Sequence, residues 1–249
     1  MSRRADGTRT PRASGDASSS RWLWVAAALS LAASLTPWGA LLLYPFKLFT
    51  TWVHECGHAA MTVMLGGSLQ SITIAPNTSG LTLSRIPDSR LVAGLVASAG
   101  YLGASVVGCV LLAATRVHRW AHRILYFIGV LMLLTLVAWM RSLFSFAVVL
   151  AWGAALIALA RRGNGAAAQF LLGLLAIQVA LNAVFDIRVL FLIPGAPSDA
   201  QSMAKLFLLP AGVWAGLWMV ASVGMLGVTL WITRGRPVRA TIATRRAGR

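Results

Sequence analysis

Glutamate is almost missing from this chain: Glu55 is the single example in 249 residues. With the aspartates it makes six acids against 22 Lys and Arg, for a net charge of +16. Charged residues of both signs together reach only 11%, while 58% of residues are hydrophobic and the mean hydropathy is +0.75. That balance excludes a soluble globular domain of this size, and several apolar runs are long enough to cross a bilayer. The basic residues fall in tails and short connections, not along one folded face. They read as anchors at the membrane surface and argue against nucleic acid as a partner. Cysteine is equally sparse. Cys56 and Cys109 both lie in apolar segments, which excludes a disulfide framework and a four-cysteine zinc site.

What is present predicts an all-α polytopic membrane protein of about six to seven transmembrane helices. Residues 1–20, rich in Arg, Ser and Gly without apolar periodicity, form a disordered basic tail. Residues 21–233 form the membrane-embedded domain, and 234–249 a second basic tail. Spans are expected at 22–46, 47–65 and 91–114, then two short ones within 124–160 split at Arg141-Ser142, then 166–192 and 206–232. Gly66-Gly67 ends the second span. Between Ser68 and Arg90, apolar and polar residues partly alternate around Pro76-Asn77-Thr78-Ser79-Gly80, the pattern of a short β-hairpin. A hairpin beside an apolar helix can present a strand edge to an extended peptide. With seven spans, ten basic residues fall on the N-terminal side and twelve on the other, so the positive-inside rule gives no orientation.

The rare residue types converge at one place. His54, Glu55 and His58 spell H-E-x-x-H inside the apolar run 51–65. Residues four apart share a helix face, so the two imidazoles can grip one Zn2+ ion while Glu55 serves beside them as general base toward water. Charge at membrane depth is costly, and its concentration here points to function. Cys56 faces another way and reads as packing. His118 and His122 are also four apart, but arginines surround them and no acid is near, so they read as interfacial residues.

Catalytic zinc takes three protein ligands and keeps a position for water. The remaining acids are Asp6, Asp16, Asp88, Asp186 and Asp199. Asp186 ranks first, because it lies in an apolar helix where an unpaired carboxylate is expensive and a metal would neutralise it. Asn182, one turn earlier, could orient it. Asp199, following Ser198 at a plausible helix start, ranks second.

Four segments in order, HECGHA, SAGYLG at 98–103, NAVFDI at 182–187 and SDA at 198–200, resemble the M50 intramembrane metallopeptidases, specifically the M50B-like branch. The likeness covers about 51–200, and its first motif is the most specific. In the related site-2 proteases, zinc is held by both motif histidines and a distant aspartate. The resemblance thus implies His54, His58 and Asp186 as zinc ligands and Glu55 as the catalytic base. It also implies a zinc-dependent intramembrane endopeptidase in a lipid bilayer, in the plasma membrane, acting on membrane protein substrates. The chain departs from the site-2 pattern in having no Asn-Pro-Asp-Gly or Leu-Asp-Gly around its aspartate and no PDZ-like or CBS-like domain. Two other readings remain: a non-catalytic membrane scaffold or assembly factor with a structural or degenerate zinc site, and a small transporter using the same polar residues. The sequence specifies no oligomeric state.

Overall fold

In the computed structural model, residue 25, residues 28–192 and residues 198–234 are described, apart from the side chains of residues 118, 183–192, 233 and 234. Helices α1 (Ala28–Ser34) and α2 (Pro37–Met64) are followed by strands β1 (Ser68–Ile74) and β2 (Gly80–Arg85). Then come α3 (Arg90–Ala114), a 3-10 turn at His118–Trp120, α4 (Ala121–Trp139) and α5 (Leu143–Arg162). The chain continues through α6 (Gly165–Leu192), a short α7 (Asp199–Phe207) and α8 (Ala211–Arg234). Five of these helices are long and apolar enough to cross a membrane, six if the bent pair α1 and α2 counts as one span. The all-α polytopic fold with a hairpin after the H-E-x-x-H helix is therefore what forms.

Two expected boundaries move. A break was expected near residue 46, yet α2 runs unbroken from Pro37 and the chain instead bends by 114° between α1 and α2. Thr36 accepts a hydrogen bond from the Gly39 N–H and Pro37 stands at the first helical position, a stronger start signal than anything near Lys47. Pro45 stays inside the helix, where the Trp152 indole donates to its carbonyl at 3.0 Å. Two expected spans thus merge into one bent pair, and among the described residues the seven expected spans become five, or six with that pair counted as one. At the other end, 206–232 was expected to be a single helix. Leu208 adopts a left-handed conformation (φ 60°) and Pro210 follows, so the chain closes α7 and restarts at Ala211.

The hairpin is antiparallel, pairing Ile74 with Gly80 and Ile72 with Thr82. The far side of β1 is closed against the helices. Ile72 bridges to Met140, where α4 gives way to α5, and the Ser145 hydroxyl both accepts from the Ile74 N–H (2.7 Å) and donates to its carbonyl (3.0 Å). Ile72 and Ile74 are buried. Among the described residues, the outer edge of β2 has no strand beside it.

Small residues decide how closely α3 lies on α2. A Cβ at Gly57 would collide with the Ala99 carbonyl of α3, so the two backbones touch where the motif helix crosses. The main core joins Phe49, Trp52 and Val53 of α2 to Leu125 and Met132 of α4 and Leu172 of α6. Within it the Trp52 indole donates to Thr135 Oγ1 at 3.0 Å. A smaller cluster joins Tyr101 of α3, Ala200 and Met203 of α7, and Trp218 of α8. That second cluster docks α7 against the bundle.

Candidate metal centre

Two residues of the motif meet a carboxylate from the far end of the chain. On α2, His54 and His58 turn the same way, with Nε2 atoms 3.0 Å apart. Asp199 Oδ2 lies 3.0 Å from His54 Nε2 and 3.3 Å from His58 Nε2. One ligand atom from each of these three residues falls within 4.8 Å of the others, close enough to share a metal ion.

Asp199 reaches this position because of local helix chemistry. Ser198 caps α7, its side chain accepting from the Gln201 N–H, which sets Asp199 in the first turn, where an acid suits the helix dipole. Ala200 and Met203, one position and one turn on, are buried against Tyr101 and Trp218. Burial pushes the Asp199 carboxyl upward, but its hydrogen bonds to His54 and His58 outweigh that and hold it below the usual carboxylate range. It is therefore available as an anion.

The donor set fits zinc on chemical grounds. His58 Nδ1 lies 2.7 Å from the Val96 carbonyl, which can only accept, so that nitrogen carries the proton. In the neutral ring, Nε2 is left with a lone pair aimed at the other imidazole and the carboxylate. Acceptors crowded together repel one another unless a cation or further protons stand among them. Two imidazoles and one carboxylate are a set that catalytic zinc takes. Gly100 leaves the room: a Cβ there would overlap Nε2 of both His54 and His58.

Glu55 occupies the other wall. It is buried, and Thr82 of β2 donates from Oγ1 to its Oε2 at 2.6 Å and to its main-chain carbonyl at 3.2 Å. A Cβ at Gly80 would overlap the Glu55 carboxylate, so the strand can pass this closely only with glycine there. The Tyr101 ring meets His54 edge-on at 4.9 Å and stacks on Trp218 at 5.0 Å. His54, Glu55, Gly80, Thr82 and Tyr101 border a cavity of about 790 Å3, which Asn182 also lines.

The sequence profile of the family described as Peptidase M50B-like matches residues 24–229, most of the chain. This chain belongs to the Peptidase M50B-like family. No curated protein and no solved structure matches it. The M50B-like match takes in α2 to α7 and with them the motif and Asp199. Membership places this integral membrane protein in a family of membrane peptidases.

Of the residues singled out in the M50B-like sequence, His54, Glu55 and His58 border one cavity. Asp186, ranked first as third ligand, belongs to α6, and its side chain lies outside the described residues. The carboxylate found beside both imidazoles among the described residues is Asp199, ranked second. Sequence reading missed Thr82, the Val96 carbonyl, Tyr101 and Gly80. A backbone carbonyl carries no sequence signal, and Thr82 gains its part only once the hairpin folds over α2. The segment SAGYLG, which contributes Gly100 and Tyr101, carried only a family likeness.

Proposed function

We propose that this M50B-like protein is a zinc-dependent intramembrane endopeptidase that hydrolyses peptide bonds of membrane-embedded or membrane-adjacent protein substrates. The observation that carries the reading is the meeting of His54, His58 and Asp199 beside the chain's only glutamate. His54, His58 and Asp199 would hold the metal. Bound zinc supplies Lewis acidity that activates water and polarises a scissile carbonyl.

The protein's own groups supply the rest. Glu55, walled off from lipid and steadied by the Thr82 hydroxyl, takes the proton from the attacking water and passes it to the leaving nitrogen. The Val96 carbonyl keeps the His58 ring in one tautomer and orientation. A protease needs its substrate extended, and the outer edge of β2 offers main-chain hydrogen bonds beside Glu55 for a strand laid along it. Polar groups at the hairpin turn, Asn77, Thr78 and Ser79, line the same cavity and give water a route to the site.

Glu55→Gln tests the reading. Its shape is kept and it contributes no metal ligand, so zinc content should stay at the wild-type level. Turnover of a cleavable membrane substrate should fall by about 100-fold or more, the usual contribution of a general acid-base group. If the variant instead keeps the cellular effect of the wild type, the protein is a scaffold with a zinc site and not a protease.

A further inference from the structure

Among the described residues, the catalytic cavity contains one strongly basic group. Of those that line it, Lys47 is the only Lys or Arg, and among the described residues it has no carboxylate partner. A half-buried cation inside an apolar helix is costly unless something answers it. Lys47 also stands in register with the site. Positions 47, 51, 54 and 58 follow one another along one face of α2, Lys47 and His54 falling within about 20° of each other around the axis. Seven residues of helix separate them by about 10 Å.

The hairpin runs alongside this same face. Thr82 bonds Glu55, Thr51 Oγ1 donates to the Thr78 carbonyl at 2.8 Å, and the Tyr44 hydroxyl donates to the Pro76 carbonyl at 2.7 Å. Residues 82 to 76 thus track α2 backwards from residue 55 to residue 44. A peptide extended on the β2 edge with its scissile bond at Glu55 continues past Gly80 toward Lys47. At about 3.3 Å per residue, it arrives there after roughly three residues.

We infer that Lys47 is a specificity residue that binds a substrate carboxylate about three residues from the bond cut, either an acidic side chain or a chain end. The inference rests on the endopeptidase reading, whose failure it can be told apart from. The full chain, purified in detergent and loaded with zinc, is given internally quenched apolar peptides in which one Asp is moved residue by residue, each beside an Asn twin. A second series ends at the same distance in a free carboxylate or an amide.

Asp at about the third residue should raise kcat/KM about tenfold over Asn, the effect of one charged hydrogen bond in a partly wet site. In Lys47→Gln that ratio should fall to about one, and in Lys47→Glu a Lys-bearing peptide should be preferred instead. Preference in the first series assigns a side chain; preference in the second alone assigns a chain end. A wild-type ratio of one at every position and at the chain end, or a preference that survives Lys47→Gln, overturns the inference. If no peptide is cut, the protease reading has failed. Binding of the same peptides, dye-labelled, to the zinc-loaded Glu55→Gln protein then decides the role of Lys47: acidic peptides must bind about tenfold tighter than their Asn twins and lose that margin when Lys47→Gln is added. Equal binding overturns it.

Discussion

Removing the Asp199 carboxylate is the sharpest perturbation of the centre, because two opposing magnitudes can be worked out. Asp199 Oδ2 is the only carboxylate oxygen within 3.3 Å of both His54 Nε2 and His58 Nε2 among the described residues. Losing a group that merely orients a ligand costs roughly 10- to 100-fold in metal affinity. Losing a ligand should cost at least the upper figure, about 100-fold or about 2.7 kcal/mol. The cost to folding is smaller. Asp199 also sits in the first turn of α7, where an acid contributes about 0.3–1 kcal/mol, and the Ser198 cap and the Met203 packing survive the change. Metal loss therefore outweighs unfolding. Competition of purified Asp199→Ala with a chromophoric chelator should show weaker zinc binding, while helicity and the thermal transition of the metal-free protein stay near wild type. Asp186→Ala, measured beside it, should hold zinc like the wild type. If Asp186→Ala loses the metal and Asp199→Ala keeps it, the assignment of the third ligand to α7 is wrong.

Two further predictions concern the walls of the site. Gly100→Ala places a methyl group against both imidazole Nε2 atoms, so zinc content of the purified protein should drop sharply although alanine is the better helix former; wild-type zinc content would show that the rings do not converge there. Thr82→Val keeps the shape of the side chain but takes the hydroxyl from Glu55, and kcat on a cleavable substrate should fall about tenfold or more with zinc binding unchanged, an unaltered kcat being the contrary result.

The membrane class, the hairpin and two of the three residues that meet at the candidate metal centre, His54 and His58, could be read from the chain because they depend on short spacings. H-E-x-x-H puts two imidazoles on one helix face whatever surrounds it, and the split at Arg141-Ser142 falls where an apolar run exceeds one span. The boundaries at Pro37 and Ala211 depended on weighing capping signals against hydropathy, and hydropathy alone placed both wrongly. Ranking Asp186 above Asp199 followed from the cost of an unpaired carboxylate in an apolar helix. That rule says where an acid needs a partner; it does not say which acid lies beside a given histidine.

Local sequence thus determined the helices, the turn between the strands and the motif face of α2, since each follows from interactions over a few residues. Only the tertiary structure decided that α7, 145 residues beyond His54, brings its first turn to the imidazoles. The same holds for β2 passing Glu55 at Gly80 and for α3 lying close enough to lend the Val96 carbonyl. These meetings depend on how glycines and small side chains let whole helices approach, a property of surfaces far apart in the chain that no local spacing encodes.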